Sequence, residues 1–225
     1  ESRALQYHFG IKPCRYPLHD YKQTPPTSDE PLEVFTVDNP GTLDMDDALS
    51  VKTLGPDHYQ VGVHITDATV GVSDDELYQW SLGRGASAYY NVDDNLVSQG
   101  MLPPGLAQDI LSLREGEPRQ CITVWLDWNK GVITPTHGVS TVVNKHRLSY
   151  GEFESRLPEE WKVLQRISSC DRADDIVAWA MLEYNKYMGS HLVGEGSGLL
   201  RTKEAGVPAS YSLVSGTNEV HVDIG

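Results

Sequence analysis

The chain has 225 residues, enough to bury one sizeable hydrophobic core, and this length predicts one main domain. Its formal net charge is −14, with 32 acidic residues against 18 Lys and Arg. Because affinity for phosphates normally comes from basic residues, this balance argues against a self-sufficient nucleic-acid binder, unless metal ions or another part of a larger protein offset the charge.

Cysteine usage and hydropathy indicate the compartment. The three cysteines, Cys14, Cys121 and Cys170, lie far apart and form no Cys-x-x-Cys pair, which favours a reducing environment. No run reaches the apolar length of a transmembrane span, and the N-terminus lacks a signal-peptide pattern. The histidines show no spacing typical of zinc sites. We therefore expect a soluble, cytoplasmic protein without a membrane partner.

The first 32 residues predict an irregular lead-in segment, because five prolines stand there among polar residues. Four aromatic residues are expected to anchor it to the domain: Tyr7, Phe9, Tyr16 and Tyr21. Residues 33–225 are assigned to the main domain. Its first strand is predicted at residues 33–37, which are rich in β-branched side chains.

Four aspartates follow that strand within ten residues of one another: Asp38, Asp44, Asp46 and Asp47. Asn39-Pro40-Gly41 interrupts the strand and residues 48–54 predict the next one, so the acids lie on one bend. At a separation of about 5 Å and an effective dielectric of about 20, each pair of like charges costs about 3 kcal/mol. Converging carboxylates would therefore need cations or shared protons.

Three interpretations of these acids differ in what the carboxylates would bind. Aspartates are common in turns, where their side chains cap backbone N–H groups, and an acidic protein has many of them. An EF-hand counted from Asp44 fails, because Leu49 occupies the sixth position, where the loop needs Gly, and no Glu stands at the twelfth. The third interpretation is a site for hard, oxygen-seeking ions, Mg²⁺ or Mn²⁺.

The segment after the bend predicts a β-hairpin. Residues 48–54 and 59–66 form its strands around Gly55-Pro56-Asp57. His64 is expected to be structural, since histidines in strands often pair with backbone groups. Residues 74–82 predict a helix, and residues 83–100 predict a long loop of the kind that often carries function.

A second hairpin is predicted further along the chain. Residues 120–128 alternate apolar and polar side chains before Asn129-Lys130-Gly131, and residues 132–143 return, so the sheet is antiparallel here. Residues 171–190 predict a helix with Asp171 as its N-cap. The basic run between them indicates either a phosphate-facing patch or a solvated helix face. Its members are Lys145, His146, Arg147, Arg156, Lys162 and Arg166.

Several motifs resemble a known family. Thr36-Val37-Asp38, a five-residue gap and then Asp44-Met45-Asp46-Asp47-Ala48-Leu49 is similar to the active-site motif of the ribonuclease II/R family, the processive 3′-to-5′ exoribonucleases. Further similar segments follow in the same order: Val63-His64-Ile65-Thr66-Asp67, Met101-Leu102-Pro103, Leu111-Ser112-Leu113-Arg114, Arg147-Leu148-Ser149-Tyr150 and His221 to Gly225. In the family the Arg147 segment corresponds to the start of a later helix.

The resemblance implies an α/β (α+β) fold, with a mixed, largely antiparallel sheet flanked by helices, and an RNB-type catalytic domain. The implied reaction is metal-assisted hydrolysis of single-stranded RNA to nucleoside 5′-monophosphates, with Mg²⁺ (or Mn²⁺) as cofactor. Asp38, Asp46 and Asp47 are expected to be direct or water-bridged metal ligands. Asp44 is expected to be a ligand or to orient the attacking water. The alternative is a catalytically silent RNA-binding or scaffolding relative that retains the fold.

The resemblance also implies substrate-binding residues. Tyr89 falls where the family places an aromatic that stacks on the 3′-terminal nucleotides. Arg114 and Arg147 are the candidate contacts for substrate phosphates. In the family, separate OB/S1-type domains contribute much of the RNA affinity, and none is visible in this sequence.

Three departures from the family pattern qualify these expectations. Adjacent glutamates that the family carries near the substrate are replaced by Ala178 and Trp179, and a second base-clamping aromatic cannot be placed. The family's Ser-Pro-Ile-Arg-Arg element, whose arginine supports the leaving phosphate, would begin shortly after Gly225. We therefore expect a C-terminally incomplete catalytic domain that is weakly active or inactive by itself.

Overall fold

The computed structural model describes residues 30–70, 72, 73, 75–77, 89, 90, 97–99, 102–202, 210–215 and 218–222. The chain forms two compact units, divided between Ile167 and Ser168. The lead-in predicted for residues 1–32 falls almost wholly outside the described residues. The division into a lead-in and one main domain therefore stays a prediction.

A closed β-barrel is the centre of the first unit. The strands described in this unit are β1 (Leu32–Asp38), β2 (Asp47–Gly55), β3 (His58–Thr66), β4 (Tyr89–Tyr90), β5 (Val97–Gln99), β6 (Pro118–Asn129) and β7 (Val132–Ser149). Five of them close in the order β1-β2-β3-β6-β7. All neighbours are antiparallel except β1 and β7, which pair in parallel and complete the barrel. The predicted mixed, largely antiparallel sheet is confirmed.

Both predicted hairpins are present. The β2–β3 turn contains Asp57 at φ 52°, and the β6–β7 turn contains Lys130 at φ 50° and Gly131 at φ 92°. Positive φ at two successive residues matches the right-handed twist of the flanking strands, which explains why Asn-Lys-Gly ends β6 here. The strand β7 continues to Ser149 and is longer than predicted.

The prediction that Arg147-Leu148-Ser149-Tyr150 starts a helix was wrong. Thr36 pairs with Arg147, and Asp38 pairs with Ser149, so pairing with β1 keeps this segment extended. The helix begins only at Phe153. Directly before it, the Glu152 carboxylate accepts hydrogen bonds from the N–H (2.9 Å) and hydroxyl (2.6 Å) of Ser149.

The loop predicted for residues 83–100 contains a small two-stranded antiparallel sheet, formed by β4 and β5. The remainder of that segment lies outside the described residues. Of the helix predicted at 74–82, residues 75–77 are described and are helical. A single π-helical turn, Leu106–Ile110, precedes β6.

Two helices follow β7: α1 (Phe153–Arg156) and α2 (Pro158–Ser168). The ring of Phe153, the first residue of α1, packs between β1 and α2. Its ring centroid is 5.2 Å from that of Phe35 on β1 and 5.3 Å from that of Trp161 on α2, the latter pair edge to face. These aromatic contacts fix α1 and α2 against one face of the barrel.

His64 belongs to a buried series of hydrogen-bonded polar side chains in the barrel, which we call the polar chain of His64. Its ring nitrogens form 2.8 Å hydrogen bonds with the hydroxyls of Ser50 and Thr123, and the Thr123 hydroxyl in turn contacts that of Ser140. Burial lowers the pKa of His64 to about 3, so the ring is neutral. The structural interpretation of His64 agrees with this arrangement, although its partners are hydroxyls rather than backbone groups.

The second unit begins with a long helix, α3 (Ala173–Gly194), followed by β8 (Ser197–Thr202), β9 (Ser210–Ser215) and β10 (Asn218–Val222). The three strands form an antiparallel sheet in the order β10-β9-β8. The helix is where it was predicted, but its N-cap is Arg172 and not Asp171. In the part of the chain that is described, no helix has the length and apolar character required to cross a membrane.

Candidate active site

The four predicted acids lie at one end of the barrel. The strand β1 ends at Asp38 and β2 begins at Asp47, and the two strands are antiparallel neighbours. We call the connecting segment with its two ends, residues 38–47, the carboxylate bend. Asp44 and Asp46 stand within it, so the structure brings all four predicted carboxylates together.

The carboxylate bend has no regular secondary structure over residues 39–46, yet its backbone is held by other segments. Each of four consecutive or nearly consecutive carbonyl oxygens accepts a hydrogen bond from outside the bend. The pairs are Arg147 Nη2 to Thr42, Ser112 Oγ to Leu43, Leu113 N to Met45 and Thr66 N to Asp46. A preorganised backbone of this kind is what a functional site requires of its supporting contacts.

Met45 explains how the acids remain near solvent. Its side chain is 3% exposed and packs in a cluster with Val34, Ala48, Leu113 and other apolar residues. The apolar anchor between two acids therefore points into the protein. Its neighbours Asp44 and Asp46 keep more solvent contact.

Asp38 lies in an environment that disfavours its charge. Burial, and then the charges of Asp47 and Asp44, raise its pKa to about 7, although nearby Arg147 and a hydrogen bond with Thr36 act in the opposite direction. Its Oδ2 is buried and has no hydrogen-bond partner among the described residues. A buried carboxylate oxygen without a partner is costly, and a cation is one way to satisfy it.

Asp46 shows the same effect. Loss of hydration, and then the charges of Asp44, Asp47 and Asp38, raise its pKa to about 7. The residue as a whole is exposed, so solvent screens part of this effect. Burial also raises the pKa of Asp47. Burial and like charge therefore both favour the protonated forms of these carboxyl groups.

A cleft of about 370 Å³ opens beside Asp38. It is lined by the turn at residues 39–41 on one side and by residues 147–149 and Glu152 on the other. Arg147 is the positive side chain in this lining. Its guanidinium both donates to the Thr42 carbonyl and acts electrostatically on Asp38.

The other predicted substrate contacts have different surroundings. Arg114 forms ion pairs with Asp109 and Glu117. Tyr89 belongs to β4, and its side chain lies outside what the structure describes. Among the side chains that the structure describes, Arg147 is the predicted substrate residue that contacts the carboxylate bend.

Three members of the basic run are paired with acids on the protein surface. Lys145 pairs with Glu33 (3.3 Å), Lys162 with Glu159 (3.0 Å) and Arg166 with Asp57 (2.8 Å). These are largely exposed ion pairs spread over β7 and α2, each within reach of a different acid. The solvated-surface interpretation therefore fits these residues, apart from Arg147.

Sequence reasoning missed the buried residues that support the carboxylate bend. Asn144 is 1% exposed and donates to the Leu113 carbonyl (2.7 Å), and Arg119 is 4% exposed and donates to the Ser112 carbonyl (2.9 Å). One signal was present in the sequence: Ser112 is a polar residue between two leucines. A Ser-x-x-Glu pattern at Ser149 to Glu152 likewise stands directly before the helix that begins at Phe153.

The carboxylate bend suits a hard divalent cation in its chemistry. It offers four carboxylates, raised pKa values at three of them and a buried Oδ2 without a partner. Oxygen ligands of this type are those of Mg²⁺ and Mn²⁺. Among the described residues no three Asp, Glu, His or Cys side chains are already arranged as a ligand shell, so the carboxylates would have to draw together around an ion.

Comparison with known proteins identifies the family. The sequence matches the RNB domain over residues 28–204, and the chain belongs to this family, the catalytic-domain family of the ribonuclease II/R-type exoribonucleases.

Individual relatives agree with this assignment. The 3′-5′ exoribonuclease HELZ2 of Homo sapiens is 40% identical over 123 residues, which are 53% of this chain and 4% of that protein. An active-site mutant of the Dss1 exoribonuclease from Candida glabrata has the same fold, with a TM-score of 0.62 and 15% identity over 96% of this chain and 36% of that one. The match to yeast Ssd1, described as a pseudonuclease, covers 66% of this chain and 20% of Ssd1, with a TM-score of 0.53 and 18% identity.

Proposed function

We propose that this chain is a metal-dependent 3′-to-5′ exoribonuclease domain that hydrolyses single-stranded RNA to nucleoside 5′-monophosphates. The observation that carries the proposal is the carboxylate bend of an RNB-family chain. Its backbone is fixed from three segments, and its acids have pKa values raised by burial and by one another. Relatives that bear the name 3′-5′ exoribonuclease support the reaction.

Asp38, Asp46 and Asp47 would hold the cations directly or through water, and Asp44 would act as a ligand or orient the attacking water. When bound, two Mg²⁺ or Mn²⁺ ions would supply positive charge for the developing negative charge of the phosphate and the leaving 3′-oxygen. The protein contributes the fixed backbone of the carboxylate bend, so little reorganisation is needed when charge develops.

Arg147 is the proposed contact for a substrate phosphate. It lines the cleft beside Asp38, and one of its donors is already used to hold the Thr42 carbonyl. The guanidinium has five N–H donors, so others remain for a phosphate oxygen of the substrate. We include Tyr89 as the proposed stacking surface for a terminal base.

The rest of the proposal concerns the surroundings of this domain. A net charge of −14 gives little affinity for RNA, so we infer that OB/S1-type domains or a C-terminal half outside this chain supply much of it. The chain spans 4% of the length of its human relative, which leaves ample room for such parts. We place its action in the cytoplasm.

Turnover of a labelled single-stranded oligonucleotide tests the proposal. The parent, Asp46→Asn and Asp57→Asn are compared in Mg²⁺ and Mn²⁺, both in the chain as it stands and joined to the C-terminal segment that the resemblance implies. Asp57 is an exposed acid at the β2–β3 turn and is a matched control for loss of one charge. In the joined protein we expect 5′-monophosphates from the parent and from Asp57→Asn, and none from Asp46→Asn. Activity of Asp46→Asn near that of the parent would refute the assignment.

A catalytically silent relative is the second candidate. Ala178 and Trp179 stand where the family resemblance implies glutamates, and the similar fold of Ssd1 belongs to a protein described as a pseudonuclease. This candidate predicts RNA binding without any release of monophosphates in the joined protein.

A further inference from the structure

Ser112 occupies an unusual place next to the carboxylate bend. It lies between Leu111 and Leu113 and is 0% exposed. Its hydroxyl donates to the Leu43 carbonyl (2.8 Å) and accepts from the Met45 N–H (3.2 Å). These two backbone groups belong to the residues immediately before and after Asp44, so one hydroxyl links the backbone on both sides of that residue.

The position of Ser112 is itself fixed from behind. The Arg119 side chain donates to the Ser112 carbonyl (2.9 Å) through Nε and to the Asp109 carbonyl (2.9 Å) through Nη2. On the other side, the Leu113 N–H donates to the Met45 carbonyl (2.9 Å). The segment around Ser112 cannot shift along the carboxylate bend without breaking several buried hydrogen bonds.

We propose that Ser112 is a positioning residue for the carboxylate bend: its hydroxyl closes the backbone around Asp44 and thereby sets the directions of Asp44 and Asp46 toward the bound cations. This inference rests on the proposed function, because it concerns the cations that the carboxylates would hold. A hydroxyl is required, because it donates and accepts at once, whereas a methyl group does neither. Residues that support metal ligands in this way typically change metal affinity by about ten- to a hundredfold when replaced.

Mn²⁺ binding to the 225-residue chain, measured by isothermal titration calorimetry, tests the proposal. Ser112→Ala is compared with Ser140→Ala, which also removes a buried, hydrogen-bonded hydroxyl, but in the polar chain of His64 on β7. We expect both variants to lower the Tm of the metal-free protein. Only Ser112→Ala should weaken Mn²⁺ binding, by about ten- to a hundredfold.

A second measurement requires no substitution. Because the Met45 N–H is already bonded to Ser112, its amide hydrogen should be protected from exchange in the metal-free parent. An unprotected Met45 amide would overturn the inference even if Ser112→Ala did not fold.

The outcomes separate this inference from the proposed function. Parent-like Mn²⁺ affinity in Ser112→Ala, or an equal loss in Ser140→Ala, overturns the positioning role while metal binding by the parent stands. If the parent itself binds no Mn²⁺, the proposed function fails, and the positioning role toward cations fails with it.

Discussion

At the scale of single residues, Asp38 and Asp46 couple the free energy of unfolding to the binding of protons. Burial and neighbouring charges raise the pKa of each from 3.8 to about 7. Between these two values the folded chain binds more protons than the unfolded chain. The free energy of unfolding therefore falls as pH rises from about 4 to about 7, and it stays at the lower value at higher pH.

This linkage predicts a pH dependence that is unusual for carboxylates. Without divalent ions, the Tm should fall between pH 5 and pH 8, and Asp46→Asn should flatten that fall. At pH 8 the substitution should stabilise the fold by about 1 kcal/mol, allowing for solvent screening of the exposed residue, which corresponds to about 2–4 °C. Thermal melts in chelator measure both effects, with Asp57→Asn as the control. An Asp46→Asn variant no more stable than the parent at pH 8 would contradict the pKa shift.

The same residues predict stabilisation by Mn²⁺. At pH 8, Mn²⁺ at about a hundred times its Kd should add about 2.7 kcal/mol and raise the Tm by about 5–10 °C. Asp46→Asn should blunt the rise. Acidification to pH 5 should weaken it in the parent, because bound cations must displace protons from the carboxylates. An unchanged melting curve across millimolar Mn²⁺ would count against the site.

At the scale of secondary-structure elements, Gly62 shows how tightly β2 and β3 approach. A Cβ added at Gly62 would fall on the Ser50 hydroxyl and the His64 ring, which are hydrogen-bonded to each other. A Cβ at Gly138 on β7 would instead meet the Trp125 ring at 3.2 Å, and that ring is only partly buried. The two glycines therefore have different tolerance for a methyl group.

We expect Gly62→Ala to lower the free energy of unfolding by about 1–3 kcal/mol, since overpacking breaks a buried polar contact. Gly138→Ala should change it by less than about 1 kcal/mol, because the Trp125 ring can move and the unfolded chain loses entropy. Urea denaturation measures both. Equal effects of the two substitutions would show that the Ser50–His64 contact contributes nothing.

Local sequence patterns were sufficient for the elements whose partners are close along the chain. The two hairpins follow from alternation and from turns such as Asn129-Lys130-Gly131, and the acids of the carboxylate bend were found because they lie within a few residues of one another. The start of the helix at Arg147 was predicted wrongly, because its extended conformation comes from pairing with β1. That pairing depends on distant residues and leaves no local signal.

The supporting residues of the site were missed for the same reason. Ser112 contacts Leu43 and Met45 across 69 and 67 positions of sequence. No spacing rule connects a serine between two leucines to an acid so far away. Its position between two leucines was a usable signal of burial, but its hydrogen-bond partners became known only from the structure.

At the scale of the whole molecule, residues 1–225 carry the carboxylates and Arg147, and the family resemblance places an arginine-rich element after Gly225. Loss of one positioned electrostatic donor commonly costs about a hundred- to a thousandfold in rate. We therefore expect weak or no release of 5′-monophosphates by the chain alone in Mg²⁺ or Mn²⁺, and recovery when the segment is supplied. Full-rate hydrolysis by the chain alone would mean that a residue such as Arg147 already fills that role.

The parallel pairing of β1 with β7 also determines when the site can form during folding. It joins residues such as Thr36 and Asn144, which are 108 positions apart and hydrogen-bonded at 3.2 Å. Contacts of such long sequence separation form late, because the entropy of closing the loop is lost before they are gained. The hairpins can form first, but Asp38 meets Arg147 only once the barrel has closed. Stopped-flow measurements should therefore show that Mn²⁺ slows unfolding and leaves the folding rate nearly unchanged.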